Sequence, residues 1–140
     1  MSSDLVRFTI AMPQDLLEKL DERAARRGIR KNCSEAIRDL VRDALVEDSC
    51  ADPDQEICGT LTMVYNHHAS DLTKRLDDVQ HDHCNEIIST MHIHLDAHNC
   101  LEIIAMRGSV AQVKEIADAL LGLKGVKHGS LTTTTTGEAL

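Results

Sequence analysis

Aromatic residues are almost missing from this chain, which has one Phe, one Tyr and no Trp in 140 residues. Any core must therefore be built from Leu, Ile, Val, Ala and Met. A unit of below about 60 residues with such a core is marginal alone, which favours association of copies. No apolar run approaches the roughly 18 residues that would suggest a membrane span, and no charged-then-apolar leader opens the chain. The expectation is a soluble, cytoplasmic protein without a membrane partner. The five cysteines are odd in number, at 33, 50, 58, 84 and 100, with no CxxC spacing. That argues against a disulfide framework and for reduced thiols. There is also no nucleophile–base pairing and no phosphate-binding glycine loop, so an enzyme is not expected.

What is present is unevenly distributed. The formal net charge is −8, but residues 1–46 carry nine Lys/Arg against eight acids, and the rest of the chain has a net charge of −9. An acidic protein is a poor non-specific DNA binder, yet its N-terminal part alone need not be. Two modules are the natural reading.

In the first module, residues 5–12 alternate in their second half. Phe8, Ile10 and Met12 point one way and Arg7, Thr9 and Ala11 the other, as in a half-buried strand. Pro13 suits the first turn of a helix. Leu16, Leu17, Leu20 and Ala24 stripe that helix, and Gly28 follows as a stop signal. Asn32, with Glu35 three residues on, reads as the cap of a second helix, whose apolar side is Ala36, Ile37, Leu40, Val41, Ala44 and Leu45. One strand and two helices cannot close a core, so the strand needs a second copy of the chain. The acidic stretch around Pro53, residues 48–56, reads as a linker.

The second module reads as a strand at 57–66 (Leu61, Met63 and Tyr65 alternating) and a helix at 69–83 (Leu72, Leu76, Val79). Strands at 87–96 and 100–107 follow, joined by a tight turn. Ser109 and Gln112 form a capping box for a further helix that ends at Gly125. A last strand spans 126–132, and the threonine-rich tail from 129 onward is expected to fray. The order βαββαβ is a ferredoxin-like split βαβ arrangement. The fold class is α+β, with a β-α-α domain at 1–47, the linker, a ferredoxin-like domain at 57–133 and a tail at 134–140.

Seven of the eight histidines fall within residues 67–98. His92 and His94 flank one isoleucine, and side chains two apart on a strand share a face. With Met91, Ile93 and Leu95 as one face of their strand, His92 and His94 take the other. On the next strand Leu101, Ile103 and Ala105 leave Cys100 and Glu102 opposite. Matching apolar to apolar predicts pairing of 94 with 102 and 96 with 100, through a three-residue turn, Ala97-His98-Asn99. His92, His94, Cys100 and Glu102 then lie on one polar, solvent-facing side. Two imidazoles and a thiolate suit late transition metals rather than Mg²⁺ or Ca²⁺. A fourth position is open to His81 or His83, directly or from another subunit. A planar site would suit Ni²⁺ or Cu²⁺, and a tetrahedral one Zn²⁺. His67, His68 and His128 read as surface or interdomain residues, and Cys50 and Cys58 as incidental.

These residues carry a family resemblance over essentially the whole length. Arg26-Arg27-Gly28, Ser34-Glu35-Ala36-Ile37-Arg38-Asp39, Gln80-His81, and His92-Ile93-His94 through Cys100-Leu101-Glu102 resemble the NikR family of nickel-responsive transcriptional repressors. The resemblance implies a ribbon-helix-helix domain followed by an ACT-type regulatory domain, in a homotetramer that is a dimer of dimers. It implies one Ni²⁺ per subunit in planar coordination, held by His92, His94 and Cys100 of one subunit and His81 of a neighbour, with Glu102 beside the site. Paired N-terminal strands would enter the major groove of operator DNA, with Arg7, Thr9 and Ala11 at base-reading positions. The start of the second helix, with Asn32 and Ser34, would meet a phosphate. A second, weaker cation site is implied near Glu35 and Asp39. Two positions depart from the family pattern. Ala11 replaces a commonly polar residue, which limits it to apolar contact such as a thymine methyl. Cys33 stands where Arg is common, which takes away a phosphate-binding side chain. The competing readings are a nickel or copper storage or delivery protein that never touches DNA, and a ribbon-helix-helix regulator of another ligand. The strand with Arg7 and Thr9 argues against storage, and HxH with Cys100 against a small organic effector.

Overall fold

The computed structural model describes residues 4–26, 32–69, 71–138 and 140. The chain divides into two compact units, Met1–Asp43 and Ala44–Leu140. In the first, helix α1 (Gln14–Arg26) begins directly after Pro13, whose carbonyl accepts the Leu16 and Leu17 amides at 3.1 Å. Proline presets the backbone there and loses no needed donor. Helix α2 (Cys33–Ala51) is capped as its sequence predicts, since Asn32 Oδ1 accepts the Glu35 amide at 2.9 Å. The expected stop at Gly28, with Arg27, Arg30 and Lys31, lies outside the described residues.

Two expectations, the linker and the tail, are corrected here, and the strand expected against a second copy is not formed by one chain alone. Residues 4–13 form no strand in the single chain, because a strand exists only through hydrogen bonds to a second one. Phe8 is 75% exposed and Val41 53%, so the apolar faces that such a pairing would cover are open. The expected linker is mostly helical, since α2 continues to Ala51 and leaves only 52–55 before the next strand. Its acids do not prevent this, because Glu is a good helix former and Cys50 gains cover by packing on the core of the second unit. The tail is ordered further than expected, with Thr135 paired to Ile57 across two strands.

The second unit holds β1 (Glu56–Asn66), α3 (Leu72–Asp82), β2 (Ile87–His94), β3 (Asn99–Ser109), α4 (Val110–Leu121) and β4 (Val126–Thr135). The strands form one antiparallel sheet in the order β2-β3-β1-β4. This is the ferredoxin-like, ACT-type arrangement, with β3 inserted between the two strands that α3 connects. The capping box at Ser109 is complete, its hydroxyl accepting the Gln112 amide at 3.2 Å and Gln112 Oε1 accepting the Ser109 amide at 2.9 Å. Helix α4 stops at Leu121, before the expected Gly125, which instead takes a φ of 107° in the turn into β4.

The core lies between one sheet face and the two helices. Ile57, Leu61, Met63 and Tyr65 from β1 meet Cys100, Ile104 and Met106 from β3, under Leu72 and Leu76 of α3 and Val113, Ile116 and Leu120 of α4. Gly129 sits opposite Met63 in the β1–β4 ladder, where a Cβ would collide with Leu121 Cδ2 and lie 3.0 Å from both Met63 Cβ and the Thr62 carbonyl oxygen. Overpacking of this kind typically costs about 1–3 kcal/mol. Gly129→Ala should therefore lower the urea midpoint of the chain by a corresponding amount. An unchanged midpoint would mean that α4 does not press on β4 as described.

Candidate metal centre

The β2–β3 hairpin carries the chemistry, and its register differs from the predicted one by two residues. His92 pairs with Glu102 and His94 with Cys100. The connection is accordingly longer than a three-residue turn, and Asp96 is the reason. Its carboxylate accepts the amides of His98 at 2.7 Å and Asn99 at 2.8 Å and the Asn99 side-chain amide at 2.8 Å. These bonds stabilise the ionised form and hold its pKa down at about 2. They close the turn while Leu95 N still bonds the Asn99 carbonyl oxygen. A shift of two preserves parity, so the same residues share a face as in the predicted register.

That face is not the solvent-facing side. Cys100, Glu102, Ile104 and Met106 are all buried, and they lie on the helix-covered side of the sheet. The opposite side carries Met91, Ile93, Leu101 and Ile103 and is the more open one, with Met91 58% exposed. The donors thus sit at the rim of the core, with Cys100 buried and the histidines reaching water.

Cys100 is the centre of the group. It is flanked in the sheet by Tyr65 on β1 and His94 on β2. Its Sγ lies 3.4 Å from His94 Nδ1 and 3.4 Å from His67 Nδ1. One donor atom from each of His67, His92, His94 and Cys100 falls within 4.8 Å of the others. His67 is the member that strand parity does not single out. It follows β1 by one residue and shares parity with Tyr65, which is a usable signal. Its amide donates to the His98 carbonyl oxygen at 2.8 Å, tying it to the hairpin turn. His81, expected as a ligand, sits exposed in the last turn of α3 and is outside this group.

Around the donors lies a second tier. His92 Nδ1 is 2.9 Å from the Tyr65 hydroxyl, and Glu102 accepts a hydrogen bond from Gln80 Nε2 at 2.8 Å. Burial, with Glu102 alongside, pushes the Tyr65 phenol far above its ordinary range, so it stays protonated. Burial first, then Glu102 and Asp96, pushes the Cys100 thiol up as well. A thiol and three imidazoles in this proximity fit a late transition metal on donor chemistry alone.

In the first unit, Arg7, Thr9 and Ala11 are exposed, as are Asn32 and Ser34. A groove of about 870 Å³ runs between residues 5–10 and the Ser34, Ile37 and Val41 side of α2. Glu35 and Asp39 stand one turn apart on α2, and Asp39 pairs with Arg42 at 3.2 Å. Among the described residues they are not part of a group of three or more metal-type donors.

Comparison with known proteins gives the same division. Residues 6–48 match the ribbon-helix-helix protein family of CopG type, and residues 58–134 match the NikR C-terminal nickel-binding domain. A protein from Geobacter metallireducens named "Putative nickel-responsive regulator" is 53% identical, over 98% of this chain and 98% of its own. Proteins of the same name from Thermococcus kodakarensis and Pyrococcus furiosus are 52% and 50% identical, over 97% and 95% of this chain and 98% and 96% of theirs. A solved structure of an uncharacterised protein from Thermotoga maritima superposes with a TM-score of 0.51 at 10% identity, over 56% of this chain and 96% of its own, which speaks to the fold alone. With both domains matched and full-length relatives at half identity, this chain belongs to the NikR family of nickel-responsive regulators, transcription regulators rather than enzymes.

Proposed function

We propose that the chain is a cytoplasmic repressor that binds operator DNA when Ni²⁺ occupies the second unit. The observation that carries this reading is the buried Cys100 thiol with two imidazole nitrogens at 3.4 Å, in a chain whose other half is a ribbon-helix-helix domain. His92, His94 and Cys100 hold one nickel ion per subunit, which supplies a fixed point of coordination rather than any reaction. The fourth donor has two candidates. His67 is already beside Cys100 in the same chain, and the family resemblance supplies His81 from a second subunit. The open apolar side of the sheet supports a tetramer, because Ile88 and Met91 are more than half exposed in the single chain and gain by burial. No helix among the described residues is long and apolar enough to cross a membrane.

On the DNA side, two copies pair their residues 5–12 as a ribbon, covering Phe8 and Ile10 and presenting Arg7, Thr9 and Ala11 to base edges. Asn32 and Ser34 at the start of α2 approach a phosphate, where free backbone amides favour an anion. The weaker cation site near Glu35 and Asp39 is retained as part of the same reading. Nickel can raise DNA affinity only by favouring one arrangement of the subunits over others, so each ligand must bind that arrangement better. Storage or delivery without DNA is the competing function, and a DNA-binding-type domain in a storage protein would have no purpose. Footprinting on the promoter beside the protein's own gene, with and without stoichiometric Ni²⁺, separates the two. Nickel-independent or absent protection would overturn the repressor reading.

Three further outcomes follow from the site. Ni²⁺ should produce a thiolate-to-metal charge-transfer absorption that disappears in Cys100→Ala; its survival would exclude Cys100 as a ligand. Because the free thiol is held protonated, nickel binding near pH 7 should release a proton. Apparent affinity should rise about tenfold per pH unit for each proton released, read by titration in buffers of different ionisation enthalpy. On the DNA side, Arg7→Ala with Thr9→Ala should leave metal affinity intact. Operator discrimination should fall by about 1–3 kcal/mol for each bidentate pairing with a base that the double variant can no longer make. Mixed tetramers decide the fourth ligand. His81→Ala chains lose nickel sites and regain some when mixed with Cys100→Ala chains if His81 serves its neighbour, whereas they keep their sites unmixed if His67 completes the set.

A further inference from the structure

The first amides of a helix have no partner within it, and in α4 those of Ser109 to Gln112 are all taken. The Gln112 amide donates to Ser109 Oγ at 3.2 Å, and the Ser109 amide to Gln112 Oε1 at 2.9 Å. The other two bonds leave the helix. Val110 N donates to the Gln55 carbonyl oxygen and Ala111 N to the Pro53 carbonyl oxygen, each at 3.0 Å. The loop 52–55 that follows α2 is thereby fastened to the start of α4. Asp52 shapes that loop, its carboxylate accepting the Asp54 amide at 3.1 Å. Residues 44–51 of α2 belong to the same unit as the loop, and Cys50 among them packs against its core.

The other end of the Gln112 side chain faces elsewhere, with Nε2 donating to Glu86 Oε1 at 3.3 Å. Glu86 closes the turn that follows α3. Its amide donates to the His83 carbonyl oxygen at 3.1 Å, and its own carbonyl accepts the Arg107 amide at 2.7 Å. Gly108 leaves room for the pair, since a Cβ there would stand 3.2 Å from Gln112 Oε1 and 3.3 Å from Glu86 Cγ. Three stretches of chain therefore meet at this helix start. Strand β3 runs to it from Cys100, the α3–β2 turn reaches it from His81, and the loop leads from it to α2. Two ligands are coupled only through an element that both of them bias. Resting on the nickel-dependent operator binding proposed above, we infer that the start of α4 is that element. Gln112 is the positioning residue that joins the metal-bearing segments to the loop from α2. The role is the same whichever histidine completes the nickel site, because β3 carries Cys100 in either case.

The test measures operator binding of the full-length protein with and without stoichiometric Ni²⁺ and reads the ratio of the two dissociation constants. Glu is the usual partner in a capping box, so Gln112→Glu keeps the helix cap but sets two carboxylates against each other at Glu86. It should leave the urea midpoint and Ni²⁺ affinity close to wild type and cut the ratio about 2–30-fold. Adding Glu86→Gln exchanges donor and acceptor, and the double variant should regain the wild-type ratio. A residue that only capped the helix would leave the ratio alone. A folded Gln112→Glu chain with the wild-type ratio therefore overturns the proposal, as does a loss that Glu86→Gln fails to repair. Amide exchange in the wild-type, metal-free chain decides the fastening without any variant. Val110 and Ala111 should exchange as slowly as the amides of β3, and exchange at the rate of a free first turn overturns it. A wild-type ratio of one removes the repressor reading and this role with it. A wild-type ratio above one that survives Gln112→Glu removes this role alone.

Discussion

Alternation along β3 is the constraint from which the second unit follows. Residues two apart share a face, so Cys100 and Glu102 are committed to the side that Ile104 and Met106 must bury. The pull of those two apolar side chains towards α3 and α4 carries a thiol and a carboxylate into the protein with them. Each then needs company. The carboxylate has the Gln80 side-chain amide, and the thiol has His67 and His94. Burying an unsatisfied polar group costs several kcal/mol at worst, and no buried side-chain nitrogen or oxygen among the described residues lacks a partner.

The first unit obeys the opposite logic. Its helices are capped and locally well specified, yet Leu20 is its one buried apolar side chain among the described residues. Phe8, Ile10, Leu16 and Val41 remain exposed. The second unit closes its core within one chain, whereas the first leaves these apolar side chains open. The two halves share a polypeptide but not a folding strategy.

Much of this is legible in the residues. Alternation and capping locate every element of the second unit, because Ser109 with Gln112 and the period-two runs in β1 and β3 are local signals. Parity also brings His92, His94 and Cys100 together regardless of exact register. The register itself is not legible, since apolar matching is satisfied equally by a shift of two and the choice is made by the side chain of Asp96 in the turn. The covered side of the sheet is hidden for a related reason: Leu101, Ile103 and Ala105 look as apolar as Ile104 and Met106. Only the helices decide which set is covered, and helix placement is a long-range property. His67 lies just beyond the end of β1, so it is found only by carrying the parity of Tyr65 past the strand. The strand at residues 5–12 is sound as a pattern, but no strand of the same chain pairs with it among the described residues.

The depth of Cys100 has a bearing on durability. Of the four donors it alone can be destroyed by oxidation to higher acids of sulfur, which proceeds through the exposed thiolate. It is also the one without solvent exposure, while the imidazoles, which withstand such chemistry far better, form the outer side. Cys33 and Cys84 stand at the surface and meet a diffusing oxidant first. A sensor built this way loses peripheral thiols before it loses its memory of the metal.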